Sequence, residues 1–195
     1  MIQFNEITVD TFLSEYWQKK PLLIKKAFNN FEAPLSADEL AGLSLEEDVE
    51  SRLVIHHPNQ SPSYTLQNGP FTEESFHTLP ESNWTLLVQG LDRLIPEIQT
   101  LLSHFNFIPR WRLDDVMVSY ATTGGGVGPH FDNYDVFLYQ AQGARKWSLS
   151  TKDCHDDNYL EGVDLRIMKT FDIEQEYILE EGDMLYLPPH VAHDG

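Results

Sequence analysis

Gly124-Gly125-Gly126-Val127-Gly128-Pro129-His130-Phe131-Asp132, answered further along by Gly182-Asp183-Met184-Leu185-Tyr186-Leu187-Pro188-Pro189-His190-Val191-Ala192-His193, decides the reading of this chain. The first stretch holds a His-x-Asp pair, and the second ends in a histidine sixty-one residues after that aspartate. Two imidazoles and one carboxylate form the ligand set that holds a redox iron on one face and leaves the opposite coordination positions open. Side chains i and i+2 of a strand point the same way, so His130 and Asp132 are expected to grip one ion from one strand end, with Phe131 facing away. The second stretch reads as a turn, a short apolar strand over Met184 to Leu187, a proline-stiffened loop and then the ligand.

The second stretch also matches the cupin pattern Gly-x5-Pro-x-Gly-x2-His, with Gly182, Pro188 and His193 in register. His190 stands where that pattern has glycine, so the metal is assigned to His193 and not to His190. Five residues separate Gly124 from His130, as in the first cupin pattern, and Asp132 replaces its second histidine. A single His-x-Asp is usually an ordinary surface pair; two patterns on predicted strands give the metal reading its weight. His56, His57, His77, His104 and His155 lack ligand spacing to anything.

Thirty-one acids against thirteen bases give a formal charge of −18. Such a chain is a poor partner for nucleic-acid backbone or anionic lipid and a plausible one for a basic protein, although scattered carboxylates such as Glu46, Glu47, Asp48 and Glu50 are read as solubilising. No run of eighteen residues is apolar throughout: the longest stretch without a charged side chain, residues 53–72, is interrupted by His, Asn, Gln, Ser and Pro, which argues against a membrane helix. The start lacks a basic n-region and an apolar h-region, and Cys154 is the single cysteine, so a reducing cytoplasm is expected. At 195 residues the chain suits one domain or a barrel with a helical elaboration.

Helical spacing of Val9, Phe12, Leu13, Tyr16 and Trp17 predicts a helix over 8–20, followed by a buried strand at Leu22-Leu23-Ile24. Ser36 and Glu39 form a capping-box pattern, and Thr72 caps a helix through Phe76 and His77. Strands are expected over 52–57, 62–67 and 84–88, and an amphipathic helix over 91–104. From Asp115 on, β signals dominate: 116–121, 136–140, 147–149, 166–170, 176–179 and 184–187. The expected fold is mainly β with α. It is a double-stranded β-helix, or jelly-roll, over 86–195 with an N-terminal α+β elaboration over 1–85.

The run Gly124 to Gly128 lacks the helix and Lys-Ser/Thr of a P-loop and is read as backbone freedom beside the metal. Trp17, Trp84, Trp111 and Trp147 are read as core. Arg145, fifteen residues after His130 and past the turn at Gly143, is expected on a strand running back beside the His-x-Asp strand. An acid chelating the iron through a keto and a carboxylate oxygen would leave a second carboxylate for a guanidinium to pair bidentately. Alternation beside Trp147 lets only one of Arg145 and Lys146 face inward, and Arg145 is chosen.

The segments Tyr16 to Ile24, Asp114 to Tyr120, Gly124 to Phe137 and Gly182 to Pro189 resemble the JmjC-domain ribosomal oxygenases. Among these, the chain is most similar to the bacterial type that 3-hydroxylates an arginine of a large-subunit (50S) ribosomal protein. The resemblance implies Fe(II) on His130, Asp132 and His193, with 2-oxoglutarate and O2 as co-substrates and Arg145 on the distal carboxylate. It implies oxidative decarboxylation to succinate and CO2 coupled to hydroxylation of a substrate C–H bond. Within it, Asp114, Asp115, Asn133 and Asp135 are candidates for gripping a substrate guanidinium, and Tyr120, Tyr134 or Tyr139 for stacking on it. The family continues past the last ligand with a closing strand, a dimerisation module and a winged-helix-like module. This chain stops at Gly195, so an open barrel edge is expected, and the family's homodimer is expected only of the longer form. A histidyl hydroxylase of the same family, a cupin-type metal dioxygenase or isomerase, and a non-catalytic JmjC binding module are the competing functions.

Overall fold

The computed structural model describes residues 2–29 and 31–195. In chain order the elements are α1 (Val9–Thr11), a π-turn (Phe12–Tyr16), β1 (Leu22–Ile24), α2 (Ala37–Leu43), β2 (Ser51–His56), β3 (Tyr64–Asn68), α3 (Glu73–His77) and β4 (Trp84–Val88). Then come α4 (Pro96–Leu101), β5 (Val118–Ala121), β6 (Val136–Tyr139), β7 (Ala144–Ser150), β8 (Gln175–Glu180), β9 (Met184–Leu187) and β10 (Ala192–Asp194). They form two compact units that interleave in sequence. One comprises the segment ending at Ala33 with Gly128–Leu160 and Arg166–Gly195; the other comprises Pro34–Val127 with Glu161–Leu165.

The first unit holds two antiparallel sheets, ordered β1-β9-β6 and β10-β7-β8. Leu149 and Leu179 of one sheet pack with Leu185 and Leu187 of the other, so the two sheets share a core. All four residues of β9 are buried, because the strand is covered on both faces. Leu185 and Leu187 face the shared core, while Tyr186 on the other face meets Phe12, Trp17 and Phe137 at 4.9–5.7 Å between ring centroids. That is why the stretch reads as an unbroken apolar run and not as an alternating one. The aromatic cluster also cuts short the helix expected over 8–20. The π-turn ends at Tyr16, Gln18 takes a positive φ of 59°, and its backbone N–H donates to the Tyr186 hydroxyl at 2.7 Å.

The second unit is the antiparallel sheet β3-β2-β4-β5 with helices α2 to α4, built on Leu53, Ile55, Leu86, Val88, Leu91 and Ile98. Both capping patterns close as expected at Ser36 and Thr72. The helix expected over 91–104 is instead a 3-10 turn, α4 and a second 3-10 turn, because Pro96 has no N–H to give and forces Ile95 into extended backbone. β5 starts at Val118 and not at Val116, since the Val116 N–H donates to buried Asp92. The strand expected over 166–170 shrinks to a single bridge between Tyr159 and Met168; the Asn158 side chain takes the backbone N–H and C=O of Thr170. Gly125 lies so close to β4 that a Cβ would stand 2.1 Å from the Trp84 carbonyl oxygen, which explains a glycine there without any phosphate cradle. None of the three sheets closes on itself among the described residues, and no helix there is long and apolar enough to cross a membrane.

Asp183, at the turn into β9, is fully buried and ties the N-terminal segment to that turn. Its carboxylate accepts from the Lys25 ammonium and from the backbone N–H groups of Lys26 (3.1 Å) and Glu180 (3.0 Å). Burial pushes its pKa upward, but these donors outweigh burial and hold it below the ordinary carboxylate value. A carboxyl group depressed in this way stabilises the fold above its unfolded pKa, and the contribution is lost as pH falls through the folded one. Asp183→Ala should therefore cost about 3 kcal/mol at neutral pH, where it removes the acceptor shared by the Lys25 ammonium and the Lys26 and Glu180 N–H groups. Urea unfolding at pH 7 and again below about pH 4 checks this: the deficit should narrow in acid, and a deficit independent of pH would mean that packing, not the charge, carries it.

Candidate metal centre

His130 and His193 face each other across a single antiparallel bridge, with paired backbone hydrogen bonds of 3.1 and 2.8 Å and ring centroids 4.2 Å apart. His193 sits on β10 opposite Leu149, so a short strand and not a loop presents it. Asp132 lies just outside strand structure, and its carbonyl accepts the His190 N–H at 2.9 Å. The three side chains are the group among the described residues whose ligand atoms converge, all within 4.8 Å of one another.

Each imidazole is oriented in the same way. Nδ1–H of His130 donates to the Gly128 carbonyl at 2.9 Å, and Nδ1–H of His193 to the Val191 carbonyl at 3.0 Å. Both bonds fix the tautomer and leave Nε2 with its lone pair for a ligand. His193 is 2 % exposed; burial first, and then the charge of His130, drive its pKa down to about 3 against the pull of the Val191 carbonyl. The imidazole is therefore neutral, and the 3.7 Å approach of its Nε2 to Asp132 Oδ2 is not an ion pair. Burial raises the pKa of Asp132, opposed by His130 and by a hydrogen bond from Tyr134. Two atoms bound to one ion at about 2.1 Å stand no more than about 4.2 Å apart, so the 3.7 Å separation fits a shared divalent cation. A half-buried carboxylate facing two lone pairs is a donor set that a cation completes.

His190 adopts a φ of 60° and turns its ring onto Phe131, at 5.7 Å between centroids, away from this group. His56 stacks on Tyr64, and His57 bonds Thr65. Arg145, Trp147 and Leu149 alternate along one face of β7, while Lys146 points outward and pairs with Glu176. The Arg145 guanidinium lies 5.3 Å from the Trp147 ring centroid and donates to the Gly195 carbonyl at 2.9 Å. Burial lowers its pKa and Asp194 counteracts this; a guanidinium remains a cation throughout. The Trp147 ring in turn lies 5.8 Å from that of His193. Sequence reasoning placed Trp147 in the core only; its spacing of two from Arg145 was the available signal.

The expected substrate contacts fall into different surroundings. Asn133 and Tyr134 are exposed beside Asp132. Asp135 instead accepts hydrogen bonds from Tyr186 and Gln18, which gives it a structural task. Tyr139 packs between Phe28 and Phe31, and burial with the charges of Glu181 and Asp183 pushes its pKa up to about 12. In the second unit Asp114 is exposed, Asp115 accepts from Gln89 and the Gly90 N–H, and Tyr120 packs on Trp84.

Residues 100–195 match the family model described as the JmjC domain. The chain is 43 % identical over 184 residues to the ribosomal protein uL16 3-hydroxylase of Escherichia coli, covering 94 % of this chain and 48 % of that protein. It is 39 % identical to a probable ribosomal oxygenase of Haemophilus influenzae, over 98 % of this chain and 47 % of that one. The crystal structure of E. coli ycfD superposes with a TM-score of 0.88 at 40 % identity, covering 99 % of this chain and 50 % of that chain. The structure of YcfD with cobalt and 2-oxoglutarate gives 0.83 at 40 % identity, over 100 % of this chain and 49 % of that one. The chain thus spans about half the length of the relatives it matches.

Proposed function

We propose, from the match of residues 100–195 to the JmjC domain model, that the chain is the metal- and co-substrate-binding part of an Fe(II)- and 2-oxoglutarate-dependent oxygenase that hydroxylates an arginine of a large-subunit ribosomal protein. The observation that carries this is the convergence of His130, Asp132 and His193, with both imidazoles tied through Nδ1 and all three ligand atoms within 4.8 Å of one another. His130, Asp132 and His193 would hold the iron, and Arg145 would pair the distal carboxylate of the co-substrate. Bound iron with 2-oxoglutarate and O2 supplies the oxidising power for C–H hydroxylation. The chain's own part is placement: the buried His193 side restricts water, the Nδ1 bonds keep the ligands from swinging, and the acidic surface draws in a basic segment. The similarity to the uL16 3-hydroxylase supports a ribosomal protein as the substrate. Asp114, Asn133 and Tyr134 are exposed and are proposed to contact it; Tyr134, which also bonds Asp132, and Asp115, Asp135, Tyr120 and Tyr139 would do so in addition to the partners they already hold.

Incubation with Fe(II), 2-oxoglutarate and uL16 peptides is expected to add one oxygen atom to an arginine, read by tandem mass spectrometry. Capture of the basic peptide by a chain of charge −18 should weaken as salt rises, because screening shortens the reach of its field to roughly 10 Å at 0.1 M. Oxygen placed on a histidine, or no turnover of any ribosomal peptide while 2-oxoglutarate still binds, would overturn the arginyl reading and leave only the oxygenase.

A further inference from the structure

Trp147 occupies the middle of β7, between Arg145 and Leu149 on one face of the strand. With its ring 5.8 Å from that of His193 and 5.3 Å from the Arg145 guanidinium, the indole bridges the step from metal ligand to anion-binding cation. Its six-membered edge is covered: a Cβ on Gly195 would stand 2.7 Å from Cε3 and Cζ3. The opposite edge carries Nε1–H, which is buried and has no hydrogen-bond partner in the protein. Buried indole N–H groups normally find an acceptor, since a bare one forfeits its hydration without return. A donor in this position is suited to an anionic oxygen of a small molecule enclosed with it.

We propose that Trp147 is a co-substrate-binding residue whose Nε1–H donates to the distal carboxylate of a 2-oxo dicarboxylic acid, the carboxylate that Arg145 pairs. The proposal rests on the co-substrate reading above and adds to it a specificity device. A carboxylate offers about four lone-pair sites and a guanidinium fork fills two of them. The indole N–H supplies a further bond while its ring shields the pair from water, which strengthens both. A 2-oxo acid without the second carboxylate would leave this donor bare, so the site selects diacids.

The test uses the full chain loaded with Mn(II) without oxygen, and compares it with Trp147→Phe, which keeps an aromatic ring and removes the N–H. Calorimetric titration with 2-oxoglutarate and with 2-oxopentanoate, which lacks the distal carboxylate, separates the two ends of the ligand. The variant is expected to bind 2-oxoglutarate about ten-fold more weakly, with its affinities for 2-oxopentanoate and for the metal unchanged. Unchanged 2-oxoglutarate affinity, or equal weakening for both acids, overturns the proposal. A parent chain that takes up Mn(II) yet binds no 2-oxoglutarate overturns the co-substrate reading along with it. If Trp147→Phe does not fold, the 15N-labelled parent loaded with Zn(II) decides. The Trp147 indole N–H resonance should move downfield with 2-oxoglutarate and not with 2-oxopentanoate, and a stationary resonance overturns the assignment.

Discussion

Asp132→Ala is expected to abolish hydroxylation and to weaken divalent-metal binding by more than about a hundred-fold, since loss of even an outer partner of a metal ligand costs about 10–100-fold. The carboxylate is the only anionic group among the three converging ligands, so its removal leaves two imidazoles and no negative charge to hold a dication. The fold should survive, because burial already works against this carboxylate, as its raised pKa records. Titration with Co(II) followed by chelator competition measures the effect, and His190→Ala provides the contrast. His190 packs on Phe131 outside the ligand group, so its loss should leave metal affinity unchanged. Tight metal binding by the Asp132 variant, or its loss in the His190 variant, would move the centre elsewhere.

Arg145→Met should weaken 2-oxoglutarate binding by about a hundred-fold while sparing the metal. Hydrogen bonds to charged groups contribute about 1.5–3 kcal/mol, and a bidentate pair places two of them on one carboxylate. The two effects are separable: iron affinity reads the His-Asp-His group, and co-substrate affinity reads β7. Lys146→Met should change neither, because that side chain is exposed and paired with Glu176. Parent-like 2-oxoglutarate affinity in the Arg145 variant, with loss in the Lys146 variant, would reverse the assignment.

Much of the centre was legible because ligand chemistry and spacing survive in one dimension. His130 and Asp132 are separated by one residue, and the glycine and proline register singled out His193 over His190; the choice between two nearby histidines needed no coordinates. The expected strand end was less accurate. Asp132 lies outside a strand, and the constraint on the pair comes from the bridge between His130 and His193, a contact sixty-three residues apart in sequence. Helix ends were legible at Ser36 and Thr72, where side chain and backbone interact locally. They were not legible at Tyr16, where a tyrosine hydroxyl 168 residues away takes the next free N–H. Asp135 shows the same limit: its two carboxylate oxygens go to Tyr186 and Gln18, and nothing near it in sequence announces either.

By itself the sequence determined the donor types, their order along the chain, the buried β9 run and the surface charge, all properties of composition and local period. Tertiary structure decided which imidazole nitrogen is free, which face of β7 carries Arg145 and Trp147, and which acids are already engaged. Strand alternation offers two faces without saying which is inward. Pairing of β7 with β8 and β10 fixes that choice, and the same register sets His193 opposite Leu149 on the strand that carries Arg145 and Trp147.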